Sequence, residues 1–158
     1  MIGIMGPDTD DASVLALAQD LGKAVAEAGH VVLTGGRSRG VMHAACTGAK
    51  AAGGTTVGVF PGDSAEEVDS AVDLRIITGL GSARNNINAL SSMVLIAVGM
   101  GPGTASEVSL ALKAGKHVVL LASGDEASKF FASLAPAHVH VAKDVAEVMS
   151  HITAVLAQ

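Results

Sequence analysis

The chain has 158 residues and a formal net charge of −5; 49% of its residues are hydrophobic, three are Phe, and it contains neither Trp nor Tyr. This length and apolar content fit one domain over residues 1–158, while the acidity and the scarcity of aromatic rings argue against nucleic acid as a partner. Cys46 is the single cysteine, and no apolar run approaches the ~20 residues that span a bilayer, so we expect a cytoplasmic protein with no disulfide and no membrane partner.

Apolar runs alternate along the chain with amphipathic segments. The runs are continuous, as in strands buried on both faces, and cover residues 1–5, 30–34, 55–60, 74–78, 93–98, 117–122 and 138–142. Helices are predicted over residues 12–28, 41–52, 83–91, 107–114, 126–134 and 144–156, with a solvated loop or short helix over 61–72. This alternation predicts an α/β fold, in which a doubly wound, mostly parallel, Rossmann-like sheet of about seven strands has helices on both faces.

A glycine-rich turn follows the fifth predicted strand. Gly99, Gly101 and Gly103 let the backbone turn tightly and approach a ligand closely. Gly103 and Thr104 would then lie at a helix N-terminus, where unpaired N–H groups favour an anion such as phosphate. Glu107 would lie one turn inside, facing the same crevice. Thr104 and Glu107 also have the spacing of a capping box, and this purely structural alternative stays open.

Three of the four arginines follow predicted strands in this acidic chain. Arg37 and Arg39 come after the second strand and Arg84 after the fourth, so all three are expected at the crevice formed by the carboxyl ends of the strands. Their clustering predicts a small phosphorylated ligand. The alternatives are solvated loop charges for Arg37 and Arg39 and a structural salt bridge for Arg84. The glycines expected to admit the ligand close to the backbone are Gly35, Gly36 and Gly40.

Several other sites are disfavoured by the sequence. The glycines around the second strand match the dinucleotide fingerprint poorly, and the phosphate-binding loop of ATPases and the serine-hydrolase elbow are absent. His138 and His140 share a strand face, but no cysteine or carboxylate cluster accompanies them. We therefore predict no metal site, and we interpret these histidines and Cys46 as structural.

Three segments together resemble one superfamily. Residues 35–42 (GGRSRGVM) resemble a G-G-x-x-G-x-M segment with one extra loop residue, and residues 78–85 (TGLGSARN) resemble T-G-x-x-x-A-R-N. Gly101, Gly103, Thr104 and Glu107 match a P-G-G-x-G-T-x-x-E motif, in which Gly99 and Met100 replace the proline and the first glycine. The chain thus resembles the LOG-like superfamily of Rossmann-type proteins, often labelled lysine decarboxylases. Its members include LONELY GUY phosphoribohydrolases, relatives of DNA-processing protein A and molybdenum cofactor carriers.

The resemblance implies a nucleotide-like phosphorylated ligand. It offers two activities: hydrolysis of the N-glycosidic bond of a nucleoside 5′-monophosphate, with Arg84 and Glu107 as the catalytic pair, or non-catalytic carriage of a phosphorylated cofactor such as molybdenum cofactor. Whether the chain is an enzyme stays open, since Arg84 is followed by Asn85 where the enzymes have lysine. A site that is only vestigial is a third possibility. No cofactor is required for hydrolysis, whereas a bound nucleotide or molybdenum cofactor is expected, and so is a homo-oligomer. Lysine decarboxylase activity is rejected, because Lys113 and Lys116 lie away from the crevice.

Overall fold

The computed structural model describes residues 1–157, which form one seven-stranded sheet and six α-helices. The strands are β1 (Ile2–Met5), β2 (Val32–Thr34), β3 (Thr56–Phe60), β4 (Leu74–Ile77), β5 (Val94–Val98), β6 (His117–Leu121) and β7 (Val139–Ala142). The helices are α1 (Ala12–Glu27), α2 (Gly40–Ala51), α3 (Asn85–Ser91), α4 (Pro102–Lys113), α5 (Asp125–Leu134) and α6 (Val145–Leu156), with short 3₁₀ turns at Ala65–Glu67 and Gly81–Arg84.

All neighbouring strands are parallel, in the order β4-β3-β2-β1-β5-β6-β7. The predicted Rossmann-like α/β fold is therefore confirmed. From β1 the chain builds outward on one side to β4 and then returns to place β5 on the other side of β1. The point where the order reverses lies between β1 and β5, and ligands of such sheets bind beyond the carboxyl ends of the strands there.

Helices cover both faces of the sheet, and each face has its own apolar core. One core joins the strands to α1, α2 and α6 through residues such as Leu21, Val41 and Ile152. The other joins them to α3, α4 and α5 through residues such as Val108 and Phe131. This double cover explains why the inner strands, such as β1, β2 and β5, are apolar without alternation, whereas all four residues of the edge strand β4 are exposed.

The first two helices pack unusually closely on one side of the sheet. A Cβ on Gly22 of α1 would overlap the carbonyl of Ala45, and a Cβ on Gly48 of α2 would overlap the carbonyl of Gln19. Glycine at both positions brings the two helix backbones together. None of the helices within residues 1–157 has both the length and the apolarity needed to cross a membrane.

One predicted boundary is wrong. The helix after β5 begins at Pro102 with Gly101 as its N-cap, five residues before the predicted start at Glu107. Proline is well suited to the first helical position, because its fixed φ matches the helix and its missing N–H would have had no partner there. The loop after β5 is correspondingly shorter, and Glu107 lies well inside the helix.

Candidate functional site

A cleft lies at the switch point of the sheet and consists of two adjoining cavities of about 440 and 540 Å³. The smaller one lies between the loops that follow β1 and β5 and contains the side chains of Arg84 and Glu107. The larger one lies beside β3 and is walled by Phe60 and Arg39. The two cavities share the walls formed by Asp8, Arg37, Met42, Pro61 and Gly81. They are therefore two halves of one cleft.

The N-terminus of α4 opens into the smaller cavity. Gly103 and Thr104 follow Pro102 in its first turn, and their N–H groups have no carbonyl acceptor within the helix. A Cβ on Gly103 would meet no atom within 4 Å. The Thr104 side chain is 2% exposed, and its Oγ1 has no hydrogen-bond partner within residues 1–157. This end of the helix offers two backbone donors and one hydroxyl to an anion.

The capping-box alternative for this turn does not hold. The N-cap is Gly101, not Thr104, and the Thr104 hydroxyl caps no N–H group of the described chain. Glu107 is directed to side chains of α3 and the turn before it. Because the helix starts earlier than predicted, both side chains are left to line the cavity.

Arg84, Glu107 and Asn88 form a buried polar group behind the helix end. Arg84 Nη1 lies 3.4 Å from Glu107 Oε1, and Asn88 Nδ2 donates to the same oxygen at 2.7 Å. Arg84 and Glu107 are 6% and 5% exposed. Burial raises the pKa of Glu107 above its usual range, although Asn88 and Arg84 act in the opposite direction. Burial also lowers the pKa of Arg84, which stays the cationic partner of the pair.

The three predicted glycines of the second turn have identifiable neighbours in the fold. A Cβ on Gly35 would overlap the Arg84 guanidinium, and a Cβ on Gly36, at φ +72°, would touch Gly58 of β3. A Cβ on Gly40, at φ +59°, would press on the carbonyl of Pro7. Close contact within the protein is thus a reason for glycine at all three. Gly35 and Gly36 do not line either half of the cleft, whereas Gly40 lines a separate cavity of about 390 Å³ beside α2.

The other two arginines predicted at the site, Arg37 and Arg39, line the cleft. Arg37 lines both halves, and its charge contributes to the lowered pKa of Arg84. Arg39 is mostly exposed and its Nε lies 3.2 Å from Asp8 Oδ1. The structure thus gathers Arg37, Arg39 and Arg84 at one cleft together with Gly101, Gly103, Thr104 and Glu107.

Sequence reasoning missed three polar residues of this site. Asp8 lines both cavities, Asn88 donates a hydrogen bond to Glu107, and Asn85 lines the smaller cavity while donating to Ser106 Oγ at 2.6 Å. The asparagines that follow Arg84 in the sequence could have predicted this, because a helix places residues 85 and 88 on the same face. Within residues 1–157, no group of three His, Cys, Asp or Glu side chains is placed to hold a metal ion.

With this geometry established, comparison with known proteins identifies the family. The family model described as the SLOG cluster4 family matches residues 1–149. The chain belongs to the SLOG cluster4 family. A protein of Archaeoglobus fulgidus is 42% identical to it over 120 residues, which cover 76% of this chain and 78% of that protein.

Two solved structures are similar to this SLOG cluster4 chain over nearly its whole length. The molybdenum cofactor binding protein from the phototrophic bacterium Rippkaea orientalis is 46% identical, with a TM-score of 0.95 over 98% of this chain and 96% of that one. The molybdenum cofactor carrier protein from Chlamydomonas reinhardtii is 59% identical, with a TM-score of 0.93 over 99% and 98%. These matches confirm the resemblance to the LOG-like, Rossmann-type superfamily.

Proposed function

We propose that this protein is a non-catalytic carrier of molybdenum cofactor, an anionic pterin that bears a phosphate group. The similarity to one molybdenum cofactor binding protein and one carrier protein, at 46% and 59% identity over nearly complete chains, supports this choice. It is preferred over nucleotide hydrolysis because both of those proteins are described by what they bind or carry.

The cleft offers such a cargo two adjoining cavities and three arginine side chains, Arg37, Arg39 and Arg84. The single observation that carries the proposal is the buried Thr104 hydroxyl, which has no partner in the described chain and lies beside the free N–H groups of the α4 N-terminus. Burying an unpaired hydroxyl is costly, so a ligand oxygen is its expected partner. In this arrangement the phosphate would bind at Gly103 and Thr104. Arg37 and Arg39 would balance the negative charge of the cargo, and the larger cavity beside Phe60 would accept the ring system.

Retention of the cargo through purification tests the proposal. The protein is produced anaerobically in a host that makes molybdenum cofactor, and the purified sample is oxidised and assayed for pterin fluorescence. We expect pterin with the wild type and at least a tenfold loss with Thr104→Val, which keeps the shape but removes the hydroxyl. Thr153→Val is the matched control, because Thr153 is exposed on α6 and its hydroxyl donates to the Met149 carbonyl. Absence of pterin from the wild type contradicts the proposal.

Hydrolysis of a nucleoside 5′-monophosphate is the second candidate, and one observation favours it. Glu107 and Arg84 line the same cavity as the phosphate donors of α4. Cleavage of an N-glycosidic bond builds positive charge on the sugar, which the Glu107 carboxylate would stabilise while Arg84 holds the substrate. Both hydrogen bonds to Glu107 reach Oε1, which leaves Oε2 as the oxygen to act on the sugar.

Chromatography of adenosine monophosphate and N6-substituted analogues decides between the two candidates. Release of free base by the wild type and not by Glu107→Gln would establish the hydrolase. Unchanged nucleotide together with retained pterin supports the carrier. Thermal stabilisation by the nucleotide without base release would show only that the cleft binds phosphate esters.

We also propose that the protein acts in the cytoplasm as a homo-oligomer, as its resemblance implies. The support from the structure is the sheet edge at β4, where Leu74 and Ile76 are 57% and 45% exposed. Edge strands with exposed apolar side chains are prone to association. Light scattering after gel filtration tests this, with the double substitution Leu74→Glu/Ile76→Glu expected to give monomers. A wild type that is itself monomeric at micromolar concentration would overturn it.

A further inference from the structure

Four of the six histidines gather at the end of the sheet opposite the cleft. His117 opens β6, and the register of β6 on β7 sets His138 opposite it, two residues before His140. Alternation along the strands puts these three side chains on the sheet face covered by α6, which contributes His151. The ring centroid of His117 lies 5.0 Å from that of His138 and 5.9 Å from that of His151. The rings of His140 and His151 are stacked, with their centroids 4.5 Å apart.

The cluster is partly buried and poor in hydrogen bonds. His117 Nδ1, His138 Nδ1 and His151 Nε2 are shielded from solvent and have no hydrogen-bond partner within residues 1–157. A neutral imidazole tolerates such a place far better than an imidazolium, whose charge needs water or an acceptor. The site therefore discriminates between the two protonation states.

Within residues 1–157, no carboxylate forms a hydrogen bond or an ion pair with any of these four histidines. The helix α6 packs on β5, β6, β7 and α1. Glu147 of α6 pairs with Lys143 at 3.3 Å, and Lys23 of α1 pairs with Glu27 at 3.8 Å. Asp11 and Asp144 cap the N-termini of α1 and α6, where their carboxylates accept from backbone N–H groups of the same helix. The other charged groups near these elements are Asp20 of α1, which is exposed, and Lys116, whose charge has the same sign as an imidazolium. Of the described residues of β5, none is titratable.

We propose that these four histidines are a proton-sensitive latch, which holds β7 and α6 on the sheet while neutral and loosens them on acidification. Every new charge would sit within about 6 Å of another imidazole, so protonation of the rings is mutually unfavourable. This repulsion acts on β7, which is an edge strand of the sheet, and on α6, which packs against it.

The direction of the pH effect follows from the proton affinities. Burial lowers the pKa of His151 below its usual 6.5, and the charges of His140 and His117 lower it further. The unfolded chain then binds more protons than the folded one as the pH falls below about 6.5, so stability is complete above that pH and is lost on acidification. Each tenfold difference in proton affinity raises the unfolding equilibrium constant by up to about tenfold.

Unfolding in urea between pH 8 and pH 5, with a chelator present throughout, tests the latch. We expect the unfolding equilibrium constant of the wild type to rise as the pH falls below 6.5. In the double variant His140→Gln/His151→Gln, the rise over the same pH range should be at least tenfold smaller. His30→Gln is the matched control, since His30 lies outside the cluster, and it should keep the wild-type profile. Equal pH profiles for the wild type and the double variant would overturn the proposal.

Two measurements on the wild type keep the test independent of any variant that fails to fold. Hydrogen exchange should show β7 and α6 opening at pH 5.5 while β1 and β5 stay protected; uniform opening of all strands contradicts the latch. Proton NMR, with the His151 ring signal assigned by its loss in His151→Gln, should show this ring titrating below the ordinary 6.5, and a His151 ring that titrates at or above that value would contradict the latch as well.

Discussion

The Arg84 guanidinium occupies the space that a side chain on Gly35 would need. Gly35 directly follows β2, and Arg84 ends the 3₁₀ turn before α3. The two meet only because the sheet brings the loops after β2 and β4 to the same edge. The guanidinium nitrogen nearest to that space, Nη1, is also the one that lies 3.4 Å from Glu107 Oε1. A glycine expected to admit the ligand therefore also accommodates the arginine expected to bind it.

We expect Gly35→Ala to disable the site while leaving the fold intact. The new methyl group overlaps the flexible end of Arg84, which would swing away and lose its contact with Glu107. Retention of pterin should fall at least tenfold, while the free energy of unfolding changes by no more than about 1–2 kcal/mol, a typical single-substitution effect. Fluorescence of the oxidised protein and urea unfolding measure the two quantities.

A double-variant comparison checks the cause. If Gly35→Ala acts through Arg84, adding it to Arg84→Ala should change cargo retention little further. Additive losses would show that Gly35 contributes to the site independently, for example by direct contact with the ligand.

Gly48→Ala should destabilise the protein, although replacing glycine by alanine inside a helix ordinarily favours the helix. The added methyl group would overlap the backbone carbonyl of Gln19, which cannot move without separating α1 from α2. Overpacking of this kind costs about 1–3 kcal/mol. Urea unfolding measures it, and a variant as stable as the wild type would show that the helices can separate at little cost.

Gly103→Ala should stabilise the protein, in contrast to Gly48→Ala. Its Cβ would meet no atom within 4 Å, and Gly103 is already helical. Replacement should stabilise the fold by about 0.4–1 kcal/mol through the unfolded state. Because the methyl group points into the open space where the phosphate is proposed to bind, pterin retention should fall as stability rises. Unchanged retention would argue against a phosphate at this helix end.

Asn88→Asp should make stability depend on pH in a characteristic direction. The new carboxyl group would face Glu107 at a distance where Asn88 now donates a 2.7 Å hydrogen bond. Two buried carboxylates cannot both ionise easily, so the pKa of one carboxyl group of the pair rises in the folded state. Stability is therefore kept at low pH and is lost as the pH rises through that raised pKa. We expect a loss on the order of 3 kcal/mol at pH 8, the scale for an uncompensated buried charge, and a smaller one at pH 5.

A neighbouring position provides the control for that variant. Asn86 is exposed on the same helix, so Asn86→Asp should have little effect at either pH. Equal destabilisation by Asn88→Asp at pH 5 and pH 8 would indicate a steric cause and contradict the electrostatic explanation.

Asp73→Asn should show the reverse pH dependence. The Asp73 carboxylate accepts from Lys50 Nζ at 2.7 Å and from the Thr56 N–H at 2.9 Å, and these bonds lower its pKa below the usual 3.8. Its contribution is present above that value and lost as the pH falls through the lowered one. The variant should melt below the wild type at pH 7, and the difference should shrink as the pH falls below 3.8 and through the lowered pKa. Asp63→Asn, at an exposed loop position, should match the wild type throughout.

Much of this fold could be predicted because the determining signals are local. Continuous apolar runs mark strands covered on both faces, and glycine or proline marks where each ends, so all seven strands were predicted within a few residues. The start of α4 was wrong because the Thr104–Glu107 spacing imitates a cap. Pro102 and Gly101, which begin the helix, were interpreted as part of the loop.

The sequence predicted which residues belong to the site, but it did not predict how their side chains contact one another. Strand ends pointed to Arg37, Arg84, Thr104 and Glu107, because the carboxyl ends of parallel strands share one edge. The unpaired Thr104 hydroxyl, the role of Asn88 and the contact of Arg84 with Gly35 lay beyond such reasoning. Each depends on distances between segments that are far apart in the chain.

By itself, the sequence determined the α/β class, the glycine turns and the chemical character of the cleft, since these follow from patterns within a dozen residues. Only the tertiary structure decided which side chains meet. The strand order brings Arg84 to both Gly35 and Glu107, and it stacks His140 on His151 at the opposite end of the sheet. Such contacts depend on how the whole chain packs, and side-chain periodicity carries no information about packing between distant segments.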